Sequence, residues 1–129
     1  MTDFLLDTNI LIRCLRKTEG YNNLLATLAV SDWLTISAMT RFEIIRGMRD
    51  HERDATFNFL NSLETLVVSA DIADAAGEIV RTGRTKGFSH EDADAIIAAT
   101  ALTHTLTLIT RNTDDFKMIP HLQLLNPFV

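Results

Sequence analysis

Residues 91–101 read EDADAIIAATA. Three carboxylates, Glu91, Asp92 and Asp94, fall in the first four positions, and only Ile, Ala and Thr follow. A run apolar on every side is expected of a helix buried all round. Ser89-His90-Glu91-Asp92 has the Ser-x-x-acid pattern of a capping box, with Ser89 as N-cap and Asp92 at the third helical position. Glu91 in the first turn would meet the positive end of the helix dipole. Asp94 has no such excuse. It lies about five residues into the segment and shares a face with Ile97, Ala98 and Ala101 by helical spacing. A carboxylate there costs free energy to bury unless a partner accompanies it.

Working outward, short apolar runs alternate with helical patterns. Phe4-Leu5-Leu6, Trp33-Leu34-Thr35-Ile36, Thr65-Leu66-Val67-Val68 and Thr107-Leu108-Ile109 read as strands, with Leu122-Gln123-Leu124 as a last edge strand. Helices are predicted from Ile10 to Leu15, Tyr21 to Val30, Ala38 to Met48, Arg53 to Leu63, Asp71 to Arg84, and over the Ser89 segment. Ser37 is placed to cap the third helix, whose apolar face is expected to include Met39, Phe42 and Ile45. The alternation predicts an α/β fold around a short, mostly parallel sheet flanked by helices, with residues 1–129 as one domain. In such sheets ligands bind beyond the carboxyl ends of the strands.

Three further acids share the anomaly of Asp94. Asp7 closes the first strand, Glu43 stands between Phe42 and Ile44, and Asp115 follows the strand ending at Ile109. Each has an ordinary alternative. Asp7 can cap the first helix, Glu43 can pair with Arg46, and Asp115 can be a turn residue. Together they recur at equivalent topological positions. Clustered carboxylates raise one another's pKa, and a divalent cation removes that penalty. All-oxygen sites suit Mg²⁺ or Mn²⁺. An ion there can activate water and stabilise charge on a phosphoryl group. The residues alone thus point to a metal-dependent phosphodiesterase.

Asp7-Thr8-Asn9, Ser37-x-x-Thr40-x-x-Glu43-x-x-x-Gly47, Asp94-x-x-Ile97-Ala98-Ala99-Thr100-Ala101 and Thr110-Arg111-Asn112-x-x-Asp115-Phe116 stand in this order along the chain. In these motifs the sequence resembles PIN-domain nucleases. In its short length and its Asn126-Pro127 ending it resembles their VapC-type toxins. The resemblance implies an Mg²⁺- or Mn²⁺-dependent endoribonuclease, the toxin of a toxin–antitoxin pair. It implies catalytic and metal-ligating roles for Asp7, Glu43, Asp94 and Asp115. Thr8, Asn9, Ser37, Thr110 and Asn112 would orient those acids. It also implies an RNA substrate, a small antitoxin with a DNA-binding N-terminal part, a homodimer that assembles further with the antitoxin, and a cytoplasmic setting. Some relatives carry the fourth acid at the position of Asn112 and others at that of Asp115. Asp115 is the assignment here, with Asp114 as the lesser candidate. A PIN-like RNA-processing nuclease, or an inactive PIN-like partner-binding domain, are the other readings.

Composition narrows the field without choosing within it. The chain has 129 residues, 47% hydrophobic and 22% charged, with a net charge of −5. That charge argues against broad nonspecific nucleic-acid binding but leaves room for a local basic rim. Arg13, Arg16, Lys17, Arg46, Arg49, Arg81, Arg84 and Lys86 all lie near helix ends, where cations are favoured in any case. Arg111, inside the last motif, is the best single candidate for an RNA phosphate. The single cysteine, Cys14, excludes an intramolecular disulfide and reads as a core residue. No basic leader or membrane-length apolar run is seen. His90 and His104 are expected at helix ends, Trp33 in the core, and Phe57 and Phe59 on a partner-facing surface.

Overall fold

A computed structural model describes residues 3–29 and 33–128. The strands are β1 (Phe4–Leu6), β2 (Leu34–Ser37), β3 (Glu64–Leu66), β4 (Thr107–Ile109) and β5 (Leu124–Leu125). They form one parallel sheet in the order β3-β2-β1-β4-β5. Phe4 of β1 stands opposite Leu34 on one side and Thr107 on the other. The chain therefore builds away from β1 in both directions. Beyond the carboxyl ends of β1 and β4 lies the switch point where such sheets open a crevice.

β1 is buried on both faces, as expected of a central parallel strand with an unbroken apolar run. Phe4 and Leu6 join Ile36, Ile44, Leu60 and Ile109 in one core, while Leu5 joins Leu66, Leu108 and Phe116 in another. The helices are α1 (Thr8–Leu15), α2 (Tyr21–Ala29), α3 (Ala38–Gly47), α4 (Arg53–Asn61), α5 (Ala70–Thr85), α6 (Asp92–Thr103) and α7 (Thr113–Phe116). Val30, which the sequence places in the second helix, lies outside the described residues. α6 is apolar all round because it is sandwiched. Ile97, Ala98 and Ala101 face the Leu5 core, and Ala95 and Ala99 meet Ile72 and Ala76 of α5. Small side chains there let the two helices approach closely.

Several local expectations are corrected. α6 starts at Asp92 with Glu91 as its N-cap, so Ser89 does not cap it and the capping box does not form. The reason lies upstream. Phe88 N–H donates to the Gly83 carbonyl at 2.8 Å, which ties the segment ahead of Ser89 to the end of α5. Asp94 sits in the first turn of α6, in keeping with an early helix position. Trp33 is 40% exposed ahead of β2, not core. Phe42 is 55% exposed, with the Arg46 guanidinium 5.2 Å from its ring centre. Met39 and Ile45 do pack against the core, but the fully buried positions of α3 are Thr40 and Ile44, because this helix turns the Thr40 hydroxyl toward Thr8 of α1. β3 stops at Leu66, and Val67 and Val68 are exposed. Phe59 packs against the core, and Phe57 carries the guanidinium groups of Arg41 and Arg53.

Candidate functional site

Asp7 is the first residue beyond β1. Its backbone is extended (ψ 156°), and its Oδ1 accepts from Thr8 N–H at 2.8 Å, so it caps α1. Its other oxygen, Oδ2, accepts from the Thr110 hydroxyl at 2.7 Å. Asp7 is only 5% exposed. Both roles considered for it, cap and site carboxylate, are served by different oxygens of one side chain.

Thr110, just beyond β4, organises the opposite wall. Its hydroxyl donates to Asp7, accepts from Asn9 Nδ2 at 3.3 Å and accepts from Asn112 N–H at 3.0 Å. One proton and two lone pairs are thereby all used. Asn9 Oδ1 in turn accepts from Arg111 N–H at 3.3 Å. Asn9, Thr110, Arg111 and Asn112 thus form one hydrogen-bonded turn against Asp7.

Glu43 arrives from the other side, on α3. The Thr8 hydroxyl donates to its Oε1 at 2.8 Å and lies 3.0 Å from Thr40 Oγ1. Arg46 reaches Glu43 only at 4.0 Å, with its own side chain largely in solvent; such a pair is worth little. Ser37 acts one step further back. Its Oγ accepts from Met39 N–H at 3.0 Å and so caps the helix that carries Glu43. Thr40 was given no role from the sequence, although it stands within the Ser37–Gly47 motif. Only the tertiary pairing of α1 with α3 shows that it touches Thr8.

Asp94, half-buried at the start of α6, lines an open cleft of about 500 Å³ together with Glu91, Asn112, Asp114 and Asp115. Its carboxyl is pushed up to about 7, first by burial and then by the charges of Asp7, Asp115, Glu91 and Glu43. Asp7 is raised too. Burial is the main cause, the bonds from Thr110 and Thr8 oppose it, and Glu43 and Asp115 add to it. The sequence-predicted acids therefore feel one another, and Asp115 belongs to the group. Among the described residues, none of the ion pairs involves Asp7, Asp94 or Asp115.

The charge balance fits a cation. The donors are oxygens throughout and mutually repelling, and among the described residues the ion pairs bring them only Arg46, at 4.0 Å from Glu43. Among the described residues, no three His, Cys, Asp or Glu side chains stand in a preformed ligand cage. Mg²⁺ does not require one, since it keeps several waters and binds through one or two carboxylates plus substrate phosphates.

Of the other residues singled out from the sequence, Cys14 and His104 take no part in this network, whereas Arg111 stands in the turn beside Asp7. Cys14 is buried in the Phe4 core, and burial pushes its thiol up to about 11, which suits an inert core residue. His104 is the C-cap of α6. Arg111 is exposed at the turn after β4. No helix among the described residues is long and apolar enough to cross a membrane.

The chain is similar to known proteins in sequence and in fold. The PIN domain matches residues 4–122. Ribonuclease VapC19 of Mycobacterium tuberculosis is 34% identical over 120 residues, which cover 92% of this chain and 96% of that protein. The structure of DNA-bound VapBC from Salmonella typhimurium superposes with a TM-score of 0.85 at 27% identity, over 97% of this chain and 98% of that chain. A toxin–antitoxin complex from Klebsiella pneumoniae superposes with a TM-score of 0.77 at 32% identity, over 95% of this chain and 96% of that chain.

Proposed function

Because the chain belongs to the PIN-domain family, we propose that it is a ribonuclease toxin restrained by a cognate antitoxin. In this reading it hydrolyses RNA phosphodiester bonds at a divalent cation, Mg²⁺ or Mn²⁺, held by Asp7, Glu43, Asp94 and Asp115. The observation that carries the reading is the carboxylate group at the β1/β4 switch point, in which Asp7, Asp94 and Asp115 take part in none of the ion pairs among the described residues. Asp7 is nearly sealed from solvent, and Asp94 is raised to about 7 by burial and its acidic neighbours. The ribonuclease name of VapC19 and the toxin–antitoxin assembly from Klebsiella pneumoniae support the substrate and the partner.

When bound, the cation supplies positive charge that lowers the pKa of water and stabilises developing charge on the phosphoryl oxygens. The protein's own groups position it. Thr110 and the Thr8 N–H fix Asp7, and the Thr8 hydroxyl fixes one Glu43 oxygen. Asp94, raised to about 7, can hold or release a proton at its carboxyl near neutral pH when metal is absent. Arg111 is the cation assigned to an RNA phosphate, held in place through its backbone by Asn9. A net charge of −5 makes free RNA a poor general ligand and a basic antitoxin segment a good one. An antitoxin Arg or Lys among the carboxylates would occupy the place of the cation and silence the enzyme. A small antitoxin with a DNA-binding N-terminal part, a homodimer that joins it, and a cytoplasmic location complete the reading.

The test is growth of a bacterial host. Wild-type expression should arrest it, Asp7→Ala should not, and co-expression of the neighbouring small protein should rescue the wild type. Equal harmlessness or equal toxicity of wild type and Asp7→Ala would remove the carboxylate site as the source of a toxin activity.

A further inference from the structure

Beside the acidic cleft lies a second cavity, of about 180 Å³, with a mostly apolar lining. Phe88, His90 and Met118 wall both spaces, so the two lie side by side. Ile79 of α5 and Ile119 also line the cavity, and Lys86 stands among its polar residues. The shared wall is built rather than incidental. Gly87 takes φ +86°, a conformation suited to glycine, and ends α5 so that the chain turns back toward the cleft. Gly83 has no side chain because His90 is seated on it: a Cβ there would lie 2.8 Å from His90 Cδ2.

We propose that this cavity is a base subsite, taking one nucleobase of a single-stranded RNA whose adjacent backbone lies in the acidic cleft. The proposal rests on the ribonuclease reading above and names a specificity element for it. Pockets for drug-sized ligands span roughly 300–1,000 Å³, so 180 Å³ offers room for about one planar ring system. Phe88 offers a ring for stacking, and Met118, 46% exposed, a polarizable thioether. Thr82 supplies a hydroxyl for the edge of a base, while the Glu78 carboxylate is engaged by the Arg81 guanidinium. Lys86 supplies positive charge for a phosphate on an otherwise acidic protein. A base lodged here would fix which phosphodiester bond reaches the carboxylates.

The experiment is NMR of the full chain with ¹³C-methyl methionine, in chelator. It is titrated with the four nucleoside 5′-monophosphates and with ribose 5-phosphate, which has no base. The Met118 methyl signal should move saturably with at least one nucleotide and stay in place with ribose 5-phosphate. Phe88→Ala should abolish the movement. So should Thr82→Phe, which fills the cavity from an exposed helix position and spares the core. Both variants should lower kcat/KM on single-stranded RNA by roughly tenfold, the scale of one base–aromatic stack. An indifferent Met118, or equal movement with ribose 5-phosphate, would overturn the subsite. Movement that follows protein concentration would give the cavity to a second copy of the chain and overturn it as well. Because binding is read without cleavage, the two claims separate. Protein that binds nucleotides here but cuts no RNA counts against the ribonuclease reading alone. Protein that cuts RNA with Met118 unmoved counts against the subsite alone.

Discussion

Asp94 carries the clearest consequence at the scale of one residue. Its folded-state carboxyl is raised from 3.8 to about 7. Between these values the folded metal-free protein holds a proton that the unfolded chain has released. That contribution to stability is therefore largest at low pH and is lost as pH rises from about 4 to about 7. Asp94→Asn removes this dependence. In chelator at pH 7.5 the variant should melt at the same temperature as the wild type or higher, by up to the order of a few degrees. At pH 4 the relative advantage should shrink. Thermal melts at both pH values check this, and a variant less stable by the same margin at every pH would count against the repelling group. Asp7 separates two roles in the same way. Asp7→Asn keeps an oxygen for the Thr8 N–H but loses the charge, so it should fold and cap α1 while losing RNA cleavage by about a hundredfold or more.

At the scale of elements, the site depends on how helices and turns are held. The Thr110 hydroxyl makes three hydrogen bonds, one of them to Asp7. Thr110→Val leaves the shape but removes all three, and should lower kcat/KM by about 10–100-fold, as loss of a group orienting a metal-ligating residue typically does. Thr110→Ser should restore most of the activity, and failure to do so would assign the effect to packing. Ser37→Ala should cost about 1 kcal/mol in urea unfolding, because Ser37 acts as the cap of α3. The placement of the acids at strand ends and in early helix turns was legible in the sequence, because strand-end residues and helix caps obey local rules. The start of α6 was not. Ser89 has the right chemistry for a cap, but the tie between Phe88 and Gly83 holds the chain ahead of it to α5. Phe42 was misread for a related reason. Hydropathy put it in the core, whereas the pairing of Thr40 with Thr8 fixes which face of α3 turns inward.

At the scale of the whole molecule, the parallel sheet and its order bring together residues that are far apart in sequence. Asp7 and Thr110 meet although 103 positions separate them. The motifs made that convergence legible. The cavity beside the cleft was not, because the end of α5, the Phe88–His90 segment and Met118 come together only through packing. Trp33 belongs with it: its exposure depends on what covers the amino end of β2, which no local pattern records. The central claim is that one group of carboxylates, through a divalent cation, cuts RNA. Its most direct measurement is cleavage of single-stranded RNA by purified wild type and Asp7→Asn, each with Mg²⁺, with Mn²⁺ and with excess EDTA. Cleavage by the wild type with either metal, its loss in EDTA and its near-absence in Asp7→Asn under all three conditions is the expected result. Undiminished cleavage in EDTA, or equal cleavage by both proteins, would contradict it.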